Sequence, residues 1–578
     1  MQLTVDLAVN LMYIKPLYVQ NFTSISIYYQ KRYMNRFYFI LFVLAIFSTT
    51  ALFAMPPHPA LLERIRNGEQ QVPYYMQNEA QLRARGIENS VVPRALRDIK
   101  GDSRDTQVPI LVVCVDFDDN VHQMEPLFFD NMLFGETGSL QDYYQEVTYG
   151  NLTLMSYDPP TDLLWIRAPQ DYTYYVDGQQ GSGTYPNNVQ KLVEDVVAII
   201  DPVVDFSVYD GPDADQDVDG FFLLHAGPGA ETSGSDNDIW SFAWATENVP
   251  NVDGVWVYSF STEPEYRDIP GDGTFGVYAH EAGHAMFGFV DFYDRDYTSN
   301  GLGDWTLMAG GSWGGNSGDS PAHPDPYHLI QLGVINPVNV SGTVMAATIP
   351  AVENTPTVYR LWANGQQGSE YFLVENRQLI GYDISLPGTG LLIYHVDESV
   401  GSAQNDNEWF PGHTNDGHYF NALEQADGWW DLETSYSGGD NGDPYPGING
   451  NRDFSDFSFP NSKDYDDVST SVMITNISDS SPLMSADFSV TGSKPLALVA
   501  ERLGDDIHLS WKPMIGAASY GIYRSADINV PIIPGNLVGT ATETEYFDPL
   551  GELSGVYYVV IGNMGVPTVS NPATRRPQ

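Results

Sequence analysis

Two histidines four residues apart, His280 and His284, stand in the stretch GVYAHEAGHAMFGFVDFYD, with Glu281 directly after the first. On a helix, side chains at i and i+4 share one face, so both imidazoles can reach a single ion. Neutral imidazole is a favoured zinc ligand. Glu281 falls about 100 degrees round such a helix, near enough to contact water at the ion without ligating it. Zinc lowers the pKa of a bound water toward about 7, and the adjacent glutamate can take its proton and pass it to a leaving amine. That is the chemistry of amide hydrolysis. The bland alternative is a helix whose two histidines are simply buried and hydrogen-bonded.

A third protein ligand must come from elsewhere. Gly288 frees the backbone to double back after the helix, and two aspartates come after it, Asp291 and Asp294. Asp291 is the expected ligand and Asp294 its rival. A glutamate from a distant helix also completes some H-E-x-x-H sites. Upstream, DADQDVDG opens like a calcium loop, with Asp213, Asp215, Asp217, Asp219 and Gly220, but the twelfth loop position holds Ala226 where a bidentate glutamate is needed. An EF-hand is therefore not expected, and a calcium site with other ligands stands against a solvated acidic turn. His323 and His328, in PAHPDPYHLI, read as surface or substrate-cleft residues, and Tyr327 between them as a possible contact for the oxyanion.

These residues need a scaffold, and the chain is long enough to supply several. Its 578 residues exceed one core, and 42% hydrophobic and 13% aromatic content supports packed domains. The formal charge is -49, from 26 basic and 75 acidic side chains. Such a field disfavours nucleic acid and anionic membranes as partners. The single cysteine, Cys114, excludes an intrachain disulfide and reads as a buried strand residue in VPILVVCVDF.

The order of elements comes from patterning. Lys31 and Arg32, the apolar run 37–47 and the small residues before Pro56-Pro57 have the make-up of a secretory signal that starts at Met34 and is cut near Ala54. A membrane anchor over 37–54 is the competing reading. Residues 55–105 are polar and helix-like, as in a propeptide, and could hold a metal site latent only through an acid such as Asp98, Asp102 or Asp105. From 106 to 336 buried strands alternate with helices: ILVVCVDF and FFLLHAG as strands, SLQDYYQEVTYGNL capped by Ser139 and NNVQKLVEDVVAIID as helices. Residues 337–491 are β-rich with long Gly/Asn/Asp stretches. Residues 492–578 space their strands as in a seven-stranded sandwich with Trp511, Tyr557 and Tyr558 in its core, and resemble a fibronectin type III module.

GVYAHEAGHAMFGFVDFYD with GLGDWTLMAGGSW resembles the catalytic core of the immune inhibitor A family of secreted metalloendopeptidases. SLQDYYQEVTYGNL, DADQDVDGFFLLHAGPGAE, DIWSF, EYFLVENRQLIGYDISLPGTGLLIYHVDE, NALEQADG and VMITNISDSSPLMSADF are similar to the family too, so the likeness runs over about 106–490. It implies an α/β (α+β) metzincin-like zinc-protease domain, followed here by the β-rich module and the C-terminal β-sandwich. It also implies that Met308 forms the methionine turn beneath the metal. One departure stands out: three residues, Ala285, Met286 and Phe287, separate His284 from Gly288, where the tighter metzincin motif has two. The extra residue lengthens the helix end or makes a bulge.

The function expected from these residues is a secreted zinc endopeptidase, monomeric and acting on protein or peptide substrates. It has no stable membrane insertion once the signal is cut, though cell-surface association is open. Two other classes compete: a non-catalytic adhesion or matrix-binding protein on a protease scaffold, and a zinc amidase for a non-protein substrate. Intact Glu281 speaks against the first.

Overall fold

The computed structural model describes residues 55–85, 106–212, 214–294, 297–399, 419–434, 437–490, 499–503, 506–511, 517–525, 537–549 and 557–564. The expected leader at 1–54, residues 86–105 with their three aspartates, and Asp213 lie outside the described residues. The first described segment carries two helices, Pro59–Arg66 (α1) and Tyr74–Ala84 (α2). It docks on the α/β part through both backbone and side chains, Arg64 and Arg85 donating to the Thr232 and Ser182 carbonyls. The Met55 carbonyl accepts from the Trp240 indole at 3.1 Å and the Pro56 carbonyl from the Trp313 indole at 3.1 Å. Tyr75 stacks on Trp240 with ring centroids 4.9 Å apart.

The site-bearing sheet begins with Leu111–Asp116 (β1), a run buried on both faces as a central parallel strand requires. Ile166–Arg167 (β2) and Phe221–Pro228 (β3) flank it in parallel, with Val113 opposite Leu223. Ala243–Ala245 (β4) is the antiparallel edge beside Ser259–Tyr266 (β5), which runs parallel to β3, so the order is β2-β1-β3-β5-β4. Alternate residues divide between two cores. Leu111, Val113 and Val115 face Leu192, Val193, Val196 and Val197 of the helix Val189–Ile200. Val112 and Cys114 face the helices Leu140–Val147 (α3) and Gly276–Phe287 (α4). Sheet period two and helix period 3.6 thus put a helical layer on each face. The expected cap forms, Ser139 Oγ accepting from Asp142 N–H at 3.1 Å, and Asn188 caps the other helix, its Oδ1 accepting from Lys191 N–H at 3.2 Å. Cys114 is fully buried, and burial pushes its thiol pKa well up, which removes it as a nucleophile.

The β-rich part holds a five-stranded and a four-stranded sheet around Leu361, Phe372, Ile393, Phe454, Ile474 and Phe488. It is tied to the α/β part by a buried ionic knot. Arg377 binds Asp383 through two guanidinium nitrogens, at 2.8 and 2.7 Å, and Glu375 at 3.1 Å. Asp383 accepts from the His323 backbone N–H at 2.9 Å, and the His323 ring meets Glu146 of α3 at 2.9 Å. His323 is therefore an interior strut, not the surface or cleft residue expected from its proline-rich setting. Beyond residue 498 two three-stranded antiparallel sheets share a small core of Leu509, Trp511, Tyr520, Ile522 and Val560. That is six strands among the described residues, against the seven expected from spacing. No helix among the described residues is long and apolar enough to cross a membrane.

Candidate metal centre

Helix α4 is buried along its whole length. Gly276 starts it because nothing larger fits: a Cβ there would lie 2.2 Å from the Ser312 carbonyl oxygen. It ends at Gly288, whose φ of 63° places it in the left-handed region that favours glycine, and the Gly288 N–H returns to the His284 carbonyl at 3.1 Å. Phe289 N–H then bonds the Gly283 carbonyl at 2.9 Å, so the chain folds back over the last turn. The extra residue in the motif is absorbed as helix, because Phe287 is still helical. The reversal carries Asp291 back to the two histidines.

His280, His284 and Asp291 converge, all completely buried. Asp291 Oδ1 lies 3.2 Å from each imidazole Nε2, and the two Nε2 atoms are 2.9 Å apart. Protonation states are set by the outer nitrogens. His280 Nδ1 donates to the Leu307 carbonyl at 2.9 Å, and His284 Nδ1 donates to the Phe289 carbonyl at 2.8 Å. Burial lowers the His284 pKa to about 4, so the ring is neutral near pH 7. With its Nδ1 proton committed to a carbonyl, a neutral ring at either position presents the Nε2 lone pair toward the other ring and the carboxylate. Three converging lone-pair atoms call for a cation. Ligand atoms about 2.0–2.1 Å from a tetrahedral zinc sit about 3.3 Å apart, close to the edges seen here. A donor set of two imidazoles and one carboxylate fits a catalytic zinc with an open position. Among the described residues no other group of three His, Cys, Asp or Glu side chains converges in this way.

Glu281, next to His280 on the same helix, is fully buried. Met308 is buried against α4: a Cβ on Gly283 would come within 2.9 Å of its Sδ. The Met308 carbonyl accepts from Phe292 N–H at 2.7 Å, which pins the turn to the Asp291 loop. Asp294 turns to its own loop, accepting from Ser299 N–H at 2.7 Å and Thr298 Oγ1 at 3.3 Å. Tyr327 opens the helix Pro326–Gln331 (α5), its ring edge-on to Phe420 at 5.1 Å and against Phe292 at 5.9 Å. Burial raises its hydroxyl pKa above the ordinary value. Asp215 is exposed and accepts from Asp217 N–H at 3.1 Å, whereas Asp219 is buried beside Gly211; among the described residues these carboxylates form no converging group of three.

His328 carries a role that its sequence setting hides. Its Nε2 accepts from Val290 N–H at 3.0 Å and its Nδ1 donates to Asp325 Oδ2 at 2.7 Å. The Val290 donor fixes the tautomer, because Nε2 must be bare to accept. Asp325 also caps α5 and accepts from Thr306 Oγ1 at 2.9 Å. One buried chain of hydrogen bonds thereby joins the Met308 turn to the backbone just before Asp291. The only sequence signal for it is Asp325-Pro326, a helix N-cap followed by proline at N1.

Comparison with known proteins points to one family. Residues 101–328 match the profile described as immune inhibitor A peptidase M6, catalytic domain. Immune inhibitor A of Bacillus thuringiensis subsp. alesti is 29% identical over 292 residues, covering 41% of this chain and 41% of that protein. Pre-pro-metalloprotease PrtV of Vibrio cholerae serotype O1 is 28% identical over 230 residues, 34% of this chain and 24% of that protein. The matched segments span less than half the length of either relative. The profile match ends at residue 328.

Proposed function

We propose, from an immune inhibitor A peptidase M6 catalytic domain at residues 101–328 and the three-donor centre inside it, that this chain is a zinc-dependent endopeptidase cutting extracellular proteins. The observation that carries this reading is the convergence of two imidazole Nε2 atoms and Asp291 Oδ1 beside Glu281. When bound, zinc supplies a Lewis acid that lowers the pKa of water and stabilises charge on a carbonyl oxygen. The rest is work for the protein. Leu307 and Phe289 carbonyls hold the two rings with Nε2 inward. Glu281 takes the proton of the attacking water and delivers it to the departing amine. Met308 and the Asp325–His328–Val290 chain fix the floor and the third donor.

In this reading the catalytic domain is metzincin-like, with Met308 as its methionine turn, and Tyr327 stands by for the oxyanion. Residues 1–54 are a leader removed on export, 55–105 a propeptide and 492–578 a fibronectin-like β-sandwich. Calcium at the Asp215–Asp219 turn belongs to the same reading and is tested by a calcium-dependent rise in Tm. The endopeptidase is tested on casein and gelatin with purified protein. Cleavage that chelator abolishes and added zinc restores is the expected result. Zinc-loaded protein that cuts neither would return the adhesion-protein or non-protein amidase reading.

A further inference from the structure

A cavity of 630 Å³ opens between the N-terminal segment 56–66 and the stretches that follow Asp291 and Met308 in the chain. The link to the centre is direct in the chain: Tyr293 and Asp294 come just after Asp291, Gly310 just after Met308, and the Phe292–Met308 hydrogen bond joins the two stretches. Tyr293, Tyr297 and Trp313 give the cavity aromatic walls, and the first two rings stack with centroids 6.2 Å apart.

Asp304 supplies its charge. Two glycines press on the carboxylate: a Cβ on Gly310 would lie 2.5 Å from Oδ1, and one on Gly438 would lie 2.4 Å from both oxygens. Neither glycine donates a hydrogen bond to it, and the carboxylate has none among the described residues. Burial pushes its pKa up to about 6, as expected for an enclosed carboxylate without a partner. Asp304 lines this cavity and a smaller one of 180 Å³ that shares Gly310 and Trp313 with it. Among the described lining residues the only lysine or arginine is Arg66, and α1 of the N-terminal segment brings it.

We propose that this cavity is a side-chain subsite for lysine or arginine of a peptide substrate, with Asp304 as its specificity-determining residue. The inference rests on the endopeptidase reading above. A guanidinium or ammonium entering between the aromatic rings meets an otherwise unpaired carboxylate and three π faces, and a neutral side chain gains neither. Arg66 occupies the same wall as long as the N-terminal segment stays docked.

The test uses the full chain after zinc loading and a peptide library read by mass spectrometry, then matched peptides carrying Arg or Gln at the favoured position. Expected are enrichment of Lys and Arg at one position near the cut and a kcat/KM ratio, Arg over Gln, of about 10- to 100-fold. In Asp304→Asn that ratio falls to within about threefold, with Tm recording whether the variant folds. If it does not fold, agmatine replaces it as the probe, and competitive inhibition of wild-type cleavage of the Arg peptide is the supporting result. Cleavage with no basic preference, an unchanged ratio in Asp304→Asn, or no inhibition at tens of millimolar agmatine overturns the subsite. No cleavage of any peptide, by the full chain or by the chain freed of residues 55–105, instead refutes the endopeptidase reading.

Discussion

Replacing Asp291 by alanine separates a metal ligand from a loop residue, and Asp294→Ala is its natural control. Asp291 Oδ1 sits 3.2 Å from both imidazole Nε2 atoms, whereas Asp294 accepts from Ser299 N–H and Thr298 Oγ1. Four-ligand zinc sites bind with roughly 10–16 kcal/mol, about 3 kcal/mol or more per protein ligand. Loss of Asp291 is therefore expected to weaken zinc by about 100-fold or more. Loss of Asp294 removes the hydrogen bonds from Ser299 N–H and Thr298 Oγ1 among others, about 1–3 kcal/mol of local stability for that pair, and leaves zinc affinity within a few-fold. The assay is zinc per chain by atomic emission after equilibration against a graded zinc buffer, with Tm measured on the same samples. Zinc retained by Asp291→Ala and lost by Asp294→Ala would refute the assignment.

Three further outcomes rest on particular contacts. Gly276→Ala drives a methyl to 2.2 Å from the Ser312 carbonyl oxygen and 2.8 Å from Gly318 Cα, so stability should fall by about 1–3 kcal/mol or more in denaturant titration; a neutral result would mean that the helix start has room to shift. His328→Leu strips Val290 N–H of its acceptor and should weaken zinc about tenfold while leaving His280, His284 and Asp291 in place; unchanged affinity would deny it a positioning role. Glu231 is buried and its pKa is raised from 4.5 to about 7 by burial, Ser241 offsetting part of this. The folded state thus holds a proton that the unfolded state has released. Its stability contribution is complete below pH 4.5 and is lost as pH rises through 7, a loss of up to about 3 kcal/mol at pH 8. Glu231→Gln should stabilise by up to that amount at pH 8 and hardly at all at pH 4.5, and an equal effect at both would contradict the shift.

What could be read in advance was local. Two histidines one helical turn apart, a glutamate beside the first and a glycine at the helix exit are short-range facts, and the backbone obeys them: α4 ends at Gly288 in the left-handed region. The strands and helices of the catalytic part were legible for the same reason, since period two and period 3.6 appear in LVVCVD and VQKLVEDVVAII. Long-range partners were not. His328 supports the Asp291 loop from 38 residues away, and His323 meets Glu146 across 177 residues. A proline-rich stretch with two histidines looks like surface until its partners are placed. The docking of Met55–Arg85 was equally hidden, because the contacts of its backbone carbonyls with Trp240 and Trp313 need no particular side chain on the segment. Asp304 carried no motif at all: its environment is made by Gly310 and Gly438, the latter more than a hundred residues away.

The central claim is that Glu281 moves a proton at a metal held by His280, His284 and Asp291. It is tested most directly by single-turnover cleavage of one peptide by wild-type protein and Glu281→Gln at equal, measured zinc occupancy. General-base catalysis contributes about 10²- to 10⁴-fold, so the account predicts a rate loss in that range with zinc content and Tm unchanged. A fully loaded Glu281→Gln protein that cuts at the wild-type rate would contradict it.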